Sequence, residues 1–234
     1  MKIAIMQPYF FPYIGYFQLM HAVNKFVIYD DVNFIKKGWI NRNRILVDKK
    51  PFLFTIPLQN ASQNTLIKDL KLAVTEKWKR KFLKTLEFAY KKKPFFDSIF
   101  SIVSDVVNIK SAFLRDWNVQ ACHSVANYLK IEVILVESSS EYNNYQLKAQ
   151  NRILDICIKE NINEYLNLSG GFNLYSKQFF RSKGLNLSFL KSKNIRYNQF
   201  CDKFNSSLSI IDVMMFNSVS DVRKLLDAYD LIKP

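Results

Sequence analysis

The sequence contains few of the residues on which hydrolytic triads and zinc sites depend. Its 234 residues include two histidines and three cysteines. His21 and His123 stand far apart, and neither belongs to a recognisable Ser-His-Asp or Cys-His arrangement. The cysteines, at positions 122, 157 and 201, are odd in number and lie in apolar or helical surroundings, which is typical of buried reduced thiols. Triad catalysis, zinc binding and disulfide frameworks are therefore not indicated.

Glycine, proline and long apolar runs are also scarce. The five glycines and six prolines fall at turns, and no apolar run reaches the roughly 18 residues that a membrane-spanning helix requires. Met1 and Lys2 lead directly into a strand-like run, without the pattern of a signal peptide. We therefore expect a cytoplasmic protein without a membrane span. Since 49% of the residues are apolar, they suffice for the core of one domain over residues 1–234.

Positive charge is what the sequence has in excess. The 34 lysines and arginines outnumber the 20 aspartates and glutamates, which gives a formal net charge of +14. Such a balance favours an anionic partner, such as a nucleic acid, a membrane surface or a phosphorylated substrate. The sequence is also rich in Lys, Asn, Ile and Phe, as the product of an AT-rich coding sequence would be. Charge alone therefore leaves both a functional and a compositional explanation open.

The N-terminal segment, residues 3–44, predicts a βαβ unit. Residues 3–6 and 26–29 are short apolar runs typical of buried strands, and the residues between them adopt helical spacing from Tyr16 onward. Strand-like and helix-like segments alternate along the rest of the chain, which predicts an α/β fold with a largely parallel, Rossmann-like sheet. We expect residues 76–129 to form an added helical block, packed on the sheet or forming a small lobe.

The later part of the chain carries less distinctive patterns. A helix is predicted over residues 142–159, in which Arg152 and Asp155 are three residues apart and can pair along one face. A short strand is predicted over residues 195–197, and a last helix over residues 219–229.

Polar residues follow the first two predicted strands, at the ends where ligands bind in such sheets. A dense cluster of cations, amides, a tryptophan and a glycine comes soon after the second strand, over residues 36–44. This mixture suits a bound phosphate better than it suits an ordinary surface loop. The candidate substrate-binding residues of these segments are Gln7, Pro8, Tyr9, Gly15, Tyr16, Lys36, Trp39, Asn41, Asn43 and Arg44.

Four charged residues of the same region are the candidate catalytic groups: Asp30, Asp31, Lys37 and Arg42. A carboxylate at a strand end can accept a proton, and Asp31 would also bind Mg²⁺ if the reaction uses it. Successive side chains of a strand point to opposite sides, so only one of the two carboxylates is expected to face the site. Lys37 and Arg42 would hold a phosphate and stabilise developing negative charge.

A third candidate segment, Ser169, Gly170 and Gly171, follows a short predicted strand over residues 165–168. Backbone amides without side chains can closely approach a phosphate or carboxylate, so these residues are further candidates for substrate binding. A plain tight turn explains the pair of glycines equally well. Their spacing fits neither a Walker loop nor the dinucleotide-binding fingerprint.

Five motifs of the chain resemble the WbqC-like protein family. They are MQPYFFPYIGYFQLMHAV, FVIYDDVNFIKKGWINRNRI, RILDI, YLNLSGGFNLY and LSIIDVMMFN, within a resemblance that extends from residue 2 to about residue 229. Members of this bacterial family occur with genes for O-antigen, the lipopolysaccharide side chain, and for other surface polysaccharides. Some are described as glycine transferases. The resemblance therefore implies transfer of glycine, or another small acyl group, to the amine of a nucleotide-linked deoxyamino sugar.

The opening strand, aromatic turn and helix also resemble the start of the nucleotidylyltransferase-like fold. In that fold a HxGH motif holds the phosphates of ATP. Residues 12–16 would replace this motif here, and they contain neither histidine. Adenylyl transfer is therefore not supported by the motif itself.

The resemblance leaves two acyl donors and one alternative function open. Activation of glycine by ATP would use ATP and Mg²⁺ at the strand ends, whereas a glycyl-tRNA donor would give the basic segment, residues 77–93, an RNA-facing role. The alternative is a non-catalytic protein that binds a nucleotide sugar or RNA for the polysaccharide machinery. The sequence does not decide whether the protein forms a homo-oligomer.

Overall fold

A computed structural model describes residues 1–201 and 203–233, and it contains one six-stranded sheet and a separate two-stranded hairpin. The strands are β1 (Lys2–Met6), β2 (Lys25–Ile28), β3 (Arg42–Val47), β4 (Lys50–Thr55), β5 (Ile134–Val136), β6 (Glu164–Leu168), β7 (Asn186–Ser192) and β8 (Tyr229–Ile232). The α-helices are α1 (Ile14–His21), α2 (Glu76–Tyr90), α3 (Phe96–Val107), α4 (Leu114–Tyr128), α5 (Ala149–Lys159), α6 (Lys177–Ser182), α7 (Ile210–Phe216) and α8 (Val219–Leu226). Short 3₁₀ turns cover Ile67–Asp69, Ser139–Tyr142 and Ser169–Leu174.

The large sheet has the strand order β5-β2-β1-β6-β7-β8. All neighbouring pairs are parallel except β7 and β8, which are antiparallel. Counted along the chain without the hairpin β3–β4, this order is 3-2-1-4-5-6, the strand order of the Rossmann fold. The predicted α/β fold with a largely parallel sheet is confirmed. The order reverses between β1 and β6, and ligands bind at the carboxyl ends of strands beside such a switch point.

Both faces of the sheet are covered, as the continuous apolar runs predict. Ile3 and Ile5 of β1 pack in one cluster with residues of α5 and α6. Ala4, between them, points to the opposite face and belongs to a larger cluster with α1, α7 and α8. The helices α2, α3 and α4 contribute to this larger cluster, so the helical segment 76–129 shares its core with the sheet. No helix in the described residues is both long and apolar enough to cross a membrane.

The helix predicted over residues 142–159 begins later, as α5. Asn143 adopts a left-handed conformation with φ of 48°. The buried Asn144 side chain donates a hydrogen bond to Asp155 Oδ2 at 2.7 Å and accepts one from Arg152 Nε at 2.8 Å. The predicted pairing of Arg152 with Asp155 is therefore wrong, because Asn144 bridges them and Arg152 forms an ion pair with Asp31 instead.

Near the C-terminus, the predicted last helix ends early and a predicted strand is wrong. The last helix ends at Leu226, and residues 229–232 form the edge strand β8. The sequence of this strand is only four residues long, too short for a periodicity of two to be recognised. Among the described residues, 195–197 form no strand. Tyr197 instead donates a hydrogen bond through its hydroxyl to Asp212 Oδ2 at 2.5 Å.

Asp212 is a fully buried carboxylate with neutral hydrogen-bond donors around it. Its oxygens accept hydrogen bonds from the Tyr90 hydroxyl at 2.6 Å, the Tyr197 hydroxyl at 2.5 Å and Gln199 Nε2 at 3.2 Å. Burial raises the pKa of Asp212 above its ordinary value of 3.8, against the opposing effect of these donors. The folded protein therefore binds a proton at Asp212 more readily than the unfolded chain does.

The protein is expected to gain stability relative to an Asp212→Asn variant as the pH falls from neutral towards the ordinary pKa. A raised folded-state pKa contributes stability that is fully present below the unfolded pKa and is lost as the pH rises through the folded pKa. Urea midpoints at a series of pH values measure the difference.

Asp221→Asn is the matched control. A hydrogen bond from Ser218 holds the pKa of exposed Asp221 below its ordinary value, so the control difference should be small and opposite in sign. If the difference in urea midpoint between the native protein and Asp212→Asn did not change with pH, the raised pKa of Asp212 would be contradicted.

Candidate functional site

A cavity of about 800 Å³ lies at the carboxyl ends of β1 and β6, beside the switch point of the sheet. Aromatic rings form much of its wall: Tyr9, Tyr13, Tyr29, Trp39 and Tyr175. Its polar side chains are Gln7, Asn43, Arg44, Asn167 and Ser207. The volume falls within the roughly 300–1,000 Å³ of small-molecule sites, and a mostly apolar wall with a few polar groups is typical of them.

Buried polar side chains hold the turn that follows β1. Asn43 Nδ2 donates to the carbonyl oxygens of Phe10 at 3.1 Å and Phe11 at 2.6 Å. The Ser209 hydroxyl donates to the Phe11 carbonyl at 2.7 Å. Phe11 has a φ of 43°, an uncommon conformation for a residue other than glycine. Since buried carbonyls need partners, these three bonds fix an otherwise costly turn and make it a rigid wall.

Gly15 and Tyr16 pack behind this wall and are not part of the described cavity lining. A Cβ atom on Gly15 would lie 2.4 Å from the ring of Tyr13, so only glycine lets that ring pack where it does. Tyr16 is fully buried and its hydroxyl donates to the Gln7 carbonyl at 3.2 Å. The contribution of both residues is to position Tyr13 and Gln7, which do line the cavity.

Among the described residues, Arg44 is the cation that lines the cavity. Its guanidinium lies over the Trp39 ring, with Cζ 5.3 Å from the centroid, and one terminal nitrogen donates to the Ser207 carbonyl at 3.3 Å. Its Nε is buried without a hydrogen-bond partner among the described residues. A buried N–H without a partner costs stability, so this atom is a natural donor to a ligand. Because a guanidinium donates from several nitrogens in one plane, it suits a phosphate.

Arg42 lies over the same Trp39 ring, 5.6 Å from its centroid, but its nitrogens are engaged elsewhere. Its Nε donates to the Gly38 carbonyl at 2.8 Å and a terminal nitrogen donates to the Lys37 carbonyl. Arg42 therefore holds the loop that carries Trp39. Lys36 and Lys37 are exposed on this loop.

Asp30, two residues after β2, is buried in a hydrogen-bond network outside the described lining of the cavity. It accepts hydrogen bonds from Arg115 Nε at 2.8 Å, from the Ser138 hydroxyl at 2.7 Å and from the Ser139 amide at 3.2 Å. The side chain has no exposed surface. Through these bonds Asp30 ties the end of β2 to the segment that follows β5.

Asp31 lies in a second buried ion pair, with Arg152, and also accepts a hydrogen bond from the Ser139 hydroxyl. The side chains of Asp31 and Arg152 are 5% and 4% exposed. The guanidinium lies over the ring of Tyr29, with Cζ 5.1 Å from the centroid. Asp31 thus supports a cavity-lining ring through Arg152. A role as proton acceptor or Mg²⁺ ligand would require the carboxylate to leave this pair.

The phenols of the cavity are held in their protonated form. Burial raises the pKa of Tyr9, Tyr29 and Tyr175 above the ordinary value of 10.0, and it raises the pKa of Tyr13 to about 12. At neutral pH these groups can therefore donate hydrogen bonds to a carbonyl, hydroxyl or phosphate oxygen of a ligand.

Gly170 and Gly171 form the part of the wall that follows β6. A Cβ atom on Gly171 would lie 2.8 Å from Nδ2 of Asn167, whereas one on Gly170 would meet no atom within 4 Å. Asn167 is 6% exposed, lines the cavity and accepts a hydrogen bond from the Leu168 amide at 2.7 Å. Gly171 therefore allows the Asn167 amide to lie close to the backbone at the wall of the cavity.

Gly171→Ala is expected to weaken ligand binding by displacing the Asn167 amide, while Gly170→Ala leaves that amide in place. The two variants add the same methyl group to neighbouring positions. Titration calorimetry with a nucleotide-linked deoxyamino sugar, the ligand class that the family resemblance implies, measures the effect. We expect a loss of at least about tenfold in affinity for Gly171→Ala, which corresponds to one hydrogen bond of about 1.4 kcal/mol. Equal affinities of the two variants would contradict a ligand contact at Asn167.

The predicted site residues divide into two groups. Those that line the cavity are Gln7, Tyr9, Trp39, Asn43, Arg44, Gly170 and Gly171. Those outside its lining, among the described residues, are Pro8, Gly15, Tyr16, Asp30, Asp31, Lys36, Lys37, Asn41, Arg42 and Ser169. Pro8 is buried behind the wall, with its carbonyl bonded to Asn118 Nδ2 at 3.1 Å. Asn41 does not line the cavity, because its Nδ2 donates a hydrogen bond to the Ile56 carbonyl at 2.9 Å.

Sequence reasoning missed several lining residues. The sequence does mark Asn167 as unusual, because it is a lone amide within the apolar strand β6. It marks Tyr29 as well, since Tyr29 directly follows β2. Tyr13 lies within the aromatic turn but does not stand out from its neighbours. It does not mark Tyr175 and Ser207, because only the tertiary fold brings them to the cavity.

The described residues contain no group of three or more His, Cys, Asp and Glu side chains arranged to hold a metal ion. Of the cavity-lining residues that the structure describes, none is a carboxylate, a histidine or a cysteine. The described lining therefore offers hydrogen-bond donors, one guanidinium and aromatic surface, groups that can bind and orient a ligand and stabilise negative charge.

Comparisons with known proteins agree with the sequence motifs. The profile of the WbqC-like protein family matches residues 7–224. A Mycobacterium tuberculosis protein named "Uncharacterized protein Rv1507c" is 26% identical over 219 residues, which cover 92% of this chain and 93% of that protein. No solved structure matches the chain significantly. Because the family profile spans most of the sequence, the chain belongs to the WbqC-like protein family.

Proposed function

We propose that the protein is a transferase that joins glycine, or another small acyl group, to the amino group of a nucleotide-linked deoxyamino sugar. Membership of the WbqC-like family supports an assignment to surface polysaccharide, or O-antigen, biosynthesis. The observation that carries the proposal is the cavity at the switch point, whose described lining combines aromatic rings with one guanidinium. A sugar ring and a phosphate in one ligand need this combination.

The guanidinium of Arg44 binds the diphosphate of the nucleotide sugar. Its unpartnered Nε and its fixed position over Trp39 favour a planar, charge-assisted contact. The rings of Tyr9, Tyr29 and Tyr175 offer flat apolar surface to the sugar, and their phenols offer donors to its oxygens.

In the reaction, the neutral sugar amine attacks the carbonyl carbon of activated glycine. The new C–N bond forms as the C–O bond to the donor breaks, and the proton lost by the amine ends on the departing oxygen. The negative charge that develops on the carbonyl oxygen is stabilised by fixed donors. The protonated phenols suit this task, because their raised pKa values keep the proton on the ring oxygen.

The two predicted donors make different demands on the site. ATP with Mg²⁺ is usually bound with the help of one or two carboxylates. Asp31 is committed to Arg152, and the described lining carries no carboxylate, so the side chains present do not fit a protein-held Mg²⁺. Glycine carried as an ester on tRNA is already activated and needs no such ligands. We therefore favour the charged tRNA as donor.

A turnover assay by mass spectrometry tests the proposal. The protein is incubated with dTDP-linked 4-amino-6-deoxyglucose, once with glycine, ATP and Mg²⁺ and once with glycyl-tRNA. The favoured outcome is a glycyl mass gain on the sugar nucleotide with the charged tRNA. A gain with ATP alone would overturn the choice of donor. No gain in either arm, despite binding of the sugar nucleotide, would overturn glycyl transfer to this substrate.

A second candidate is a non-catalytic protein that binds a nucleotide sugar. The observation in its favour is that the described lining of the cavity contains no carboxylate, histidine or cysteine, the usual proton acceptors. Binding of the sugar nucleotide without turnover, when several acyl donors are offered, is the result that this candidate requires.

A further inference from the structure

A basic groove lies between α2 and the hairpin β3–β4, and it shares no described lining residue with the cavity at the switch point. It has a volume of about 660 Å³. Four cations of α2 line it, together with Phe88 of the same helix and Phe52 of β4. We call this the α2 groove, and its cations are Lys77, Arg80, Lys81 and Lys84.

The cations of the α2 groove form one stripe, because their spacings of three and four residues place them on one side of the helix. Like charges at such spacings destabilise an isolated helix by a few tenths of a kcal/mol per pair. Of the described residues, the ion pairs at this helix join Lys79 to Glu76 at 3.0 Å and Lys91 to Glu87 at 2.9 Å. Both pairs lie outside the groove, whose described lining contains no carboxylate.

Two exposed aromatic rings accompany this charge. Phe88 is 69% exposed and Phe52 is 43% exposed. The buried face of α2 is formed by other residues, Phe82, Leu86 and Tyr90. Neither exposed ring is needed to complete the core. Single-stranded nucleic acids bind to surfaces that combine a positive groove for the phosphates with aromatic rings for the bases. The α2 groove has both features.

We propose that the α2 groove binds a single-stranded segment of RNA. The phosphates contact the lysines and the arginine of the stripe, and bases stack on Phe88 and Phe52. Charge complementarity selects a polyanion, and the two exposed rings favour a nucleic-acid strand, whose bases can stack on them, over a membrane surface. The choice of RNA over DNA rests on the proposed function, in which a charged tRNA supplies the glycine.

Fluorescence polarisation with a labelled oligouridine RNA of about twelve nucleotides tests the proposal across a range of salt concentrations. Lys81→Gln/Lys84→Gln is expected to weaken binding and to reduce the slope of log K against log salt by about 1.4, since each phosphate contact of a single strand contributes roughly 0.7. Phe88→Ala is expected to weaken binding about fivefold or more without changing the slope.

The control Lys110→Gln/Lys183→Gln removes the same charge from exposed lysines outside the groove. Equal effects of the two double variants would overturn the proposal, because binding would then follow net charge alone. Tighter binding of DNA of the same length, or binding only to vesicles rich in anionic phospholipid, would also overturn it. Since the assay measures RNA binding without turnover, its outcome is separate from that of the glycyl-transfer assay.

Discussion

Asp31→Asn is expected to lower the free energy of unfolding by about 3–5 kcal/mol, the usual cost of removing one partner from a buried ion pair. The side chains of Asp31 and Arg152 are at most 5% exposed, so water cannot replace the lost carboxylate. A loss of this size is a large part of the roughly 5–15 kcal/mol that stabilises a typical domain. Urea denaturation followed by circular dichroism measures it as a lower midpoint with an unchanged slope.

The companion variants are Arg152→Met and the double variant Asp31→Asn/Arg152→Met. If the pair is structural, the double variant should be more stable than the sum of the single effects predicts, because neither partner is left buried and alone. One specific result would instead support the predicted catalytic role of Asp31. In that case Asp31→Asn would keep its midpoint while glycyl transfer falls by orders of magnitude, and Arg152→Met would retain the rate.

Local patterns in the sequence were enough to predict the central parallel strands of the sheet, but not its edge strand β8. The apolar runs of β1, β2 and β6 are short, continuous and bounded by polar residues, and each forms a parallel strand. The candidate ligand site was predicted after β1 and β2, with a further candidate segment after β6, and the cavity lies at the ends of β1 and β6. These features depend on residues close together in the chain, which is why a single sequence reveals them.

The surroundings of Asp30 and Asp31 could not be predicted in the same way. Their arginine partners, Arg115 and Arg152, are 85 and 121 residues further along the chain. Carboxylates at a strand end look alike in sequence whether they face a ligand or a buried guanidinium. Here tertiary contacts turn both of them into supports for the site.

Within the cluster that follows β2, residue type and spacing do not show which side chains face the cavity. Asn41 and Asn43 are both buried amides, yet only Asn43 lies against the cavity, while Asn41 bonds to the chain beyond β4. Arg42 and Arg44 share the ring of Trp39 and differ in where their nitrogens point. Such differences follow from the register of β3 against its neighbours, which residue type and spacing do not encode.

Arg44→Ala is expected to weaken binding of dTDP-linked 4-amino-6-deoxyglucose by about 10- to 100-fold. A hydrogen bond to a charged group contributes about 1.5–3 kcal/mol, and each 1.4 kcal/mol is a factor of ten in affinity. The guanidinium of Arg44 is fixed over Trp39, with an Nε that lacks a partner among the described residues, so little ordering is needed when a phosphate binds. Titration calorimetry gives the affinity directly.

Arg44→Lys keeps the charge but loses the planar set of donors, and its affinity should lie between those of the native protein and Arg44→Ala. Arg42→Ala is the matched control, because Arg42 lies over the same ring but donates to the carbonyls of Lys37 and Gly38. Its effect on affinity should be several-fold smaller and should act through the loop that carries Trp39. If Arg42→Ala weakened binding as much as Arg44→Ala, while Arg42→Lys restored it, the phosphate would lie on the predicted catalytic residue Arg42, and the assignment of Arg44 would be wrong.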